Sequence, residues 1–426
     1  MPAESPALTY SRTGATPRVT VSGDRIRVVD GLRLLAALMV VAYHYIAFGG
    51  GWAAPVQDVF PTAHLPAAYG WLGVELFFLI SGFVICMSCW GRSLGEFFTS
   101  RVARLFPAYL FAVLATTAIV FLVPGGIGPK PVRDVLVNLT MLQQPLNAKD
   151  VDAVYWTLWA EIRFYLLFAL VVWRGLTYRR AVMFCFLWAA AAMIMTKYDD
   201  SPLKQLLMPD ICWYFIAGIA FFLMYRFRPT ALLVGIVAGC FLAAQRFALI
   251  KQGRAERNIG YDVPDWPVLV LVVAFFLIMA LVATGRLSWV RWRWLPVAGA
   301  LTYPLYLLHE YIGWEVIRVL EGMVPPTLLL LGLVAAMLFI AWMVHRLIER
   351  PGMRWVRATL RSALAEVRQA PLAEEGRARF FLPRPLAGNE ESRPTVNDPQ
   401  RADWPTEVQL SKLDRPDPDA MSVGPR

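Results

Sequence analysis

The sequence has few cysteines and no disulfide framework: the five thiols, Cys86, Cys89, Cys185, Cys212 and Cys240, are odd in number and scattered through apolar segments. Cys86 and Cys89 form a lone C-x-x-C with no second pair and no nearby histidine, so no complete metal-ligand set is present and no metal is expected. Residues 1–29 are polar, without the apolar core or cleavage signature of a removable signal peptide, so the first apolar stretch serves as its own insertion signal. No self-similar period recurs, which argues against the inverted repeats of many transporters. Charge is scarce as well. Charged residues make up 17% of the chain against a hydrophobic fraction of 58%, and the mean hydropathy is +0.50. That balance excludes a soluble globular domain. With sixteen tryptophans, it describes a polytopic membrane protein with aromatic residues at the interfaces. The net charge of +10 raises nucleic acid as a partner, but the arginines come as short clusters between apolar runs. No nucleic-acid partner is expected.

What is present is a series of about ten apolar segments, at 32–49, 71–89, 105–123, 155–173, 181–196, 209–225, 230–248, 266–284, 295–313 and 326–345. Each is near the ~20 residues that a spanning helix needs. The fold class is therefore an all-α polytopic membrane protein of about ten transmembrane helices with a disordered C-terminal tail. Arginine clusters alternate with acidic loops: Arg92, Arg101 and Arg104, or Arg346, Arg350 and Arg354, on one side, and Asp58, Asp134, Asp150, Asp152 and Asp262 on the other. The positive-inside rule then puts both termini in the cytoplasm of a cell that carries the protein, multi-pass, in its plasma membrane. One outer loop breaks the pattern with Lys251, Arg254 and Arg257. The chain divides into a cytoplasmic segment (1–29), a membrane domain (30–352), a basic amphipathic stretch (353–370) and a tail (371–426) too poor in apolar residues to build a core. In the third of these, Val356, Leu360, Leu364 and Val367 share a face bordered by arginines, as in a helix lying on a lipid surface or a simple solvated one.

The stretch from Asp30 to Tyr45 organises the rest. It is apolar enough to enter a bilayer, yet it carries Arg33 and His44, eleven residues apart. At the helical period these return to nearly the same face, ~16 Å apart along the axis. With Arg33 at one surface, His44 lies near the middle of the ~30 Å hydrocarbon core. An ionisable group at that depth faces protein or a wet cavity and by default has a role; the plain alternative is a hydrogen bond to a neighbouring helix. Other polar groups sit inside the spans. Glu75 and Glu161 fall near the outer ends of the second and fourth, Ser81 near a midplane, and His309 toward the outer end of the ninth. Glu75, Glu161 and His309 are thus expected to line an outer polar cavity with His44 at its floor. Arg101 and Arg104, three apart on one helical face, make a phosphate site or serve topology alone. For Ser81 the alternative is helix packing.

Five blocks in order carry a resemblance. They are Asp30-Gly-Leu-Arg33 through His44; Gly73-Val-Glu75-Leu-Phe-Phe-Leu-Ile-Ser81-Gly82-Phe83; Phe98-Thr-Ser-Arg101-Val-Ala-Arg104-Leu-Phe-Pro107; Trp156-Thr-Leu-Trp-Ala-Glu161-Ile-Arg-Phe-Tyr165; and Leu301-Thr-Tyr303-Pro-Leu-Tyr306-Leu-Leu-His309. Ile348-Glu349-Arg-Pro351 closes the set. Over about residues 28–352 the chain resembles the acyltransferase family three membrane proteins, which move acyl groups from acyl-coenzyme A to hydroxyls of sugars, cell-envelope polymers or macrolides. Leu34 stands where the family often has glycine, and Thr302 where serine is usual. The Gly-Asp-Ser nucleophile of the hydrolase-like domain that some members carry is absent from the tail.

The resemblance implies an integral membrane O-acyltransferase with acyl-coenzyme A as donor, a hydroxyl-bearing glycan or macrolide as acceptor, and the lipid bilayer as surroundings. It makes Arg33 and His44 the catalytic centre, supported by Glu75 and Glu161, and gives donor phosphates to Arg101 and Arg104. Ser81, Trp156, Tyr165, Tyr303 and His309 become candidate substrate contacts. His44, as a neutral imidazole, takes the proton of an acceptor hydroxyl that attacks the thioester directly. The rival chemistry is a covalent acyl-enzyme on His44 or Ser81. The rival functions are a proton-coupled transporter that uses the same His and Glu groups as a relay, and a non-catalytic membrane anchor.

Overall fold

The computed structural model describes residues 26–198 and 201–380, the side chains of 367–380 excepted. Among these residues there is no strand. Helix α1 (Arg27–Ala42) runs directly into a π-helical turn, Tyr43–Ala47. It is followed by α2 (Leu72–Cys89), α3 (Leu94–Leu122), α4 (Trp156–Trp173), α5 (Tyr178–Met195) and α6 (Cys212–Phe227). Then come α7 (Ala231–Ile259), α8 (Trp266–Ala283), α9 (Leu295–Leu308), α10 (Glu310–Leu320) and α11 (Pro326–Val344). A second π-helical turn, His345–Glu349, joins α11 to α12 (Arg350–Phe380). We call the side on which α1 begins the near face and the opposite side the far face.

Nine helical runs among the described residues are long and apolar enough to cross a membrane. The ninth apolar segment, 295–313, is interrupted. Helix α9 has 14 residues, about 21 Å at 1.5 Å per residue, and falls short of a ~30 Å core. The chain breaks at His309 and α10 follows at once; the break is buried, and there the carbonyl of His309 accepts the hydroxyl of Tyr45. Several helices start on the near face at hydroxyl caps. Ser93 and Glu96 form a reciprocal capping box, and Thr177 and Thr230 each accept an amide N–H of the first turn.

The bundle is built around α6, which is buried along nearly all of its length and packs most extensively on α2. The two helices meet through Gly82 and Gly218. A methyl group at Gly82 would collide with the backbone of Phe215, and one at Gly218 with the carbonyl of Leu79. Glycine at both positions lets the backbones touch, as small residues do where helices pack in lipid. Helix α1 in turn lies between α2 and α9. This brings its Arg33–His44 face to the centre of the bundle.

Two expectations need correction. The seventh span does not end near residue 248. Helix α7 continues to Ile259, because Lys251 to Asn258 is rich in good helix formers and the helix stops only at Gly260, which holds φ +81. Lys251, Arg254 and Arg257 therefore belong to a helix and not to a loop. The helix after the last span begins at Arg350 and continues to Phe380, past the expected start of the disordered tail at 371. The rest of that tail, 381–426, and most of the N-terminal segment, 1–25, lie outside the described residues. Contacts divide the chain into residues 1–369 and 370–426, and the site described below lies wholly in the first.

Candidate active site

The π-helical turn is what places His44. Phe48 N–H reaches five residues back to the carbonyl of Tyr43 (2.7 Å), which widens the turn and leaves the carbonyl of His44 to accept the indole N–H of Trp314 (3.2 Å). From the other side, Tyr45 donates its hydroxyl to the carbonyl of His309 (2.6 Å), at the bend between α9 and α10. The two elements are thus tied at both histidines, and their imidazole planes are nearly parallel (14°) with centroids 5.1 Å apart.

The hydrogen bonds fix the tautomers. His309 Nδ1 lies 2.8 Å from the carbonyl oxygen of Tyr306, which can only accept, so that nitrogen carries the proton. Nε2 of a neutral His309 must then accept, and it lies 2.9 Å from His44 Nδ1. His44 therefore donates through Nδ1 and keeps the lone pair on Nε2. That nitrogen faces a cavity of about 750 Å³ open to the far face. The arrangement is that of a general base whose ring is held and oriented from behind. Glu310 Oε1 stands 3.8 Å from the same nitrogen. Behind Glu310, Asp152 hydrogen-bonds its carboxyl and accepts the amides of Val154 (3.3 Å) and Tyr311 (3.2 Å). Asn138 pins the loop that carries Asp152, accepting from Val151 N–H and donating to the carbonyls of Asp134 and Lys149.

Three cavities lie in series across the bundle. His44, Glu75, Trp156, Lys251 and Tyr306 line the far one. Arg33, Arg104, His345, Arg346 and Arg350 line the near one, of about 620 Å³. A neck of about 60 Å³ lies between them, bounded by Arg33, Ser81, Glu161, Thr302, Tyr303 and Tyr306. Arg33 borders both the near cavity and the neck, and Tyr306 both the neck and the far cavity.

Several sequence-derived assignments move within this frame. Arg33 and His44 belong to different cavities, and the side chain of Arg33 is tilted toward the helix N-terminus and away from His44. Glu161, expected beside His44, lies in the neck, because α4 begins with Trp156 at the far cavity and five residues carry the chain more than a turn deeper. There it accepts the hydroxyl of Tyr165, whose ring lies under Arg101 and not in a cavity wall, and stands 3.5 Å from Ser81 Oγ. Glu75 does line the far cavity, paired with Lys251 at 2.6 Å. His309, expected in the cavity wall, is 0% exposed and stands behind His44. Tyr303 lines the neck and donates to the carbonyl of Leu105 (3.0 Å).

The pair Arg101 and Arg104 diverges. Arg101 turns to Ser88 (3.3 Å) and Tyr165, while Arg104 reaches the near cavity and bonds Glu349, which is 0% exposed. Glu349 also takes His345 Nδ1 (2.8 Å) and is presented by the second π-helical turn. A buried carboxylate with two such partners is satisfied, so Arg346 and Arg350 are the freer cations of that cavity. The sequence reading passed over Asp152, Lys251, Glu310, Trp314, Arg346 and Arg350 as site residues. Of these, Lys251 did leave a signal, as a cation on the wrong side of the positive-inside pattern.

Residues 26–346 match the profile of a family described as an acyltransferase domain. The chain belongs to this acyltransferase family. Among its relatives is an acyltransferase of Streptomyces mycarofaciens, MdmB, 26% identical over 79% of this chain and 93% of the relative. The exopolysaccharide production protein ExoZ of Rhizobium meliloti is 29% identical over 68% of this chain and 91% of its own. Nodulation protein 10 of Rhizobium leguminosarum bv. viciae is 28% identical over 45% of this chain and 58% of its own. No solved structure gives a significant match. The profile spans all three cavities except the residues after 346.

In this acyltransferase, the loop behind Glu310 carries a titration that stability measurements detect. Burial pushes the Asp150 carboxyl up to about 6, against the opposing effect of hydrogen bonds from Gln143 and Gln144. The folded protein holds this proton up to about pH 6, whereas the unfolded chain releases it near the ordinary carboxylate value of ~3.9. Its contribution to stability is therefore fully present below ~3.9 and is lost as pH rises through 6. Asp150→Asn removes the ionisation and keeps an acceptor for Gln144. The melting temperature of the solubilised variant should fall less than that of the parent between pH 4 and pH 7, and parallel curves would exclude this account of the loop.

Proposed function

We propose that this membrane acyltransferase moves a short acyl group, such as acetyl, from acyl-coenzyme A in the cytoplasm to a hydroxyl of a carbohydrate, cell-envelope polymer or macrolide. The carrying observation is the lone pair of His44 Nε2 at one cavity, with a small cavity that shares Tyr306 with it and Arg33 with an arginine-lined cavity on the opposite face. The arginine clusters make the near face cytoplasmic. Donor phosphates lie on Arg346 and Arg350, with Arg33 and Arg104 at the inner wall. The pantetheine arm, roughly 15 Å long when extended over about a dozen bonds, passes the neck toward His44. That length suits the ~16 Å rise from Arg33 to His44. A neck of about 60 Å³ holds roughly two water molecules' worth of space and favours a thin, short acyl chain.

Direct transfer fits this arrangement. His44 Nε2 takes the hydroxyl proton as the acceptor oxygen forms its bond to the thioester carbon. The tetrahedral intermediate collapses, the C–S bond breaks, and the proton passes from His44 to the departing thiolate, so no proton is gained or lost overall. Ser81 lies in the neck, where the base beside it is Glu161 at 3.5 Å, and it lines a different cavity from His44, so the two do not form a serine–histidine pair. Arg33, a pantetheine's length from the reacting carbonyl, acts on the donor and not on the developing charge.

Two substitutions separate chemistry from donor binding. His44→Ala should lower turnover of acetyl-coenzyme A by about 10²–10⁴-fold, while the solubilised protein still folds, with a melting temperature lowered only by the lost partner of buried His309. Retained turnover would remove His44 as the base. Arg346→Ala or Arg350→Ala should instead raise KM for acetyl-coenzyme A by about ten- to a hundredfold with kcat nearly unchanged, since phosphate contacts are made equally in ground and transition states. Unchanged KM in both variants would move the donor away from the near cavity.

A further inference from the structure

The far cavity contains polar atoms that the mechanism above does not use. Glu75 is 2% exposed and gives Oε1 to Lys251, while its Oε2 has no partner. The indole N–H of Trp71 has none either. Both residues line the cavity: Trp71 caps the N-terminus of α2 with helical backbone angles, and Glu75, four residues on, lies one turn away on the same side. Buried polar atoms in folded proteins are almost always satisfied, so an orphan acceptor and an orphan donor on two residues of one cavity wall, each sealed from solvent as the side chains stand, point to a ligand group that pairs them. A hydroxyl is the group that answers both, since it donates and accepts at once. Lys251 is itself held, 2.6 Å from Glu75 and 3.8 Å from Asp210, and so fixes which carboxyl oxygen of Glu75 remains open.

The reacting hydroxyl cannot be this partner. Its proton goes to His44 Nε2, so it has none left to donate to Glu75. A second hydroxyl on the acceptor is required. Resting on the acyl-transfer reading, we propose that Trp71 and Glu75, with Lys251 as the positioning residue for Glu75, clamp a non-reacting hydroxyl of a ring polyol and thereby select polyols over simple alcohols. Trp156 and Trp314 in the same cavity supply aromatic faces for the apolar side of such a ring.

The experiment is a competition in one vessel. The solubilised full chain receives acetyl-coenzyme A with myo-inositol and cyclohexanol, and the two acetyl esters are measured as a ratio per hydroxyl. This ratio is internal to each variant and does not depend on overall rate or yield of folded protein. The parent should prefer inositol by at least about tenfold. Glu75→Gln, Trp71→Phe and Lys251→Met should bring the ratio toward one, and Lys251→Arg should restore part of it. Tyr214→Phe removes another unpartnered hydroxyl near Glu75, one that does not line the cavity, and should leave the ratio unchanged. A parent ratio near one, or a high ratio that survives in Glu75→Gln and Trp71→Phe, overturns the clamp. So does release of coenzyme A without either ester. If the parent releases no coenzyme A at all, the acyl-transfer reading fails first and the clamp falls with it.

Discussion

The hydrogen bond between His44 and His309 is the contact on which the rest of the site depends. It joins the first span to the bend of an interrupted one, across 265 residues of sequence, and it satisfies a His309 that is fully buried. Each imidazole on its own would be a costly buried polar group. Together, with the carbonyl of Tyr306 at one end, they form a chain whose direction is set by an oxygen that can only accept. The open nitrogen of His44 follows from that direction. Tyr45 and Trp314 hold the same junction from its two sides through backbone carbonyls, so neither histidine is positioned by its own rotamer alone.

Departures from the regular helix accompany the chemistry at both faces. The π-helical turn at Tyr43–Ala47 frees a carbonyl for Trp314, and the one at His345–Glu349 presents Glu349 to Arg104 and His345. The bend at His309 shortens α9 below membrane thickness and exchanges a regular crossing for a histidine at the junction. These irregularities lie where the backbone is enclosed by protein, the setting in which a bilayer tolerates them. The regular helices carry the packing instead, with Gly82 and Gly218 allowing α2 and α6 to touch.

Much of this was legible in the sequence. The apolar runs gave the all-helical membrane architecture, and the two ionisable groups singled out in the first span, Arg33 and His44, both line cavities. Hydropathy could not show where α7 ends, because its last turns are polar and held by helix propensity and Gly260, so Lys251 was read as a loop residue. Depth along a span was read more coarsely than the site requires. Glu161 is little more than a turn from Trp156, and that turn separates the far cavity from the neck. Arg101 and Arg104 share a helical face, yet Glu349 and Ser88 draw them apart, and partners so distant in sequence leave no periodic trace. The same holds for His309, whose role comes from a neighbour 265 residues away.

The central claim is that donor and acceptor approach from opposite faces and meet at His44. It is tested most directly in proteoliposomes of uniform orientation, with acetyl-coenzyme A confined to one side and a membrane-impermeant polyol to the other. The side on which free coenzyme A and the acetyl ester appear is then recorded. The account expects thiol to be released on the side that carries Arg346 and Arg350, and ester to form on the opposite side. Ester that forms only when both substrates share one compartment would contradict it.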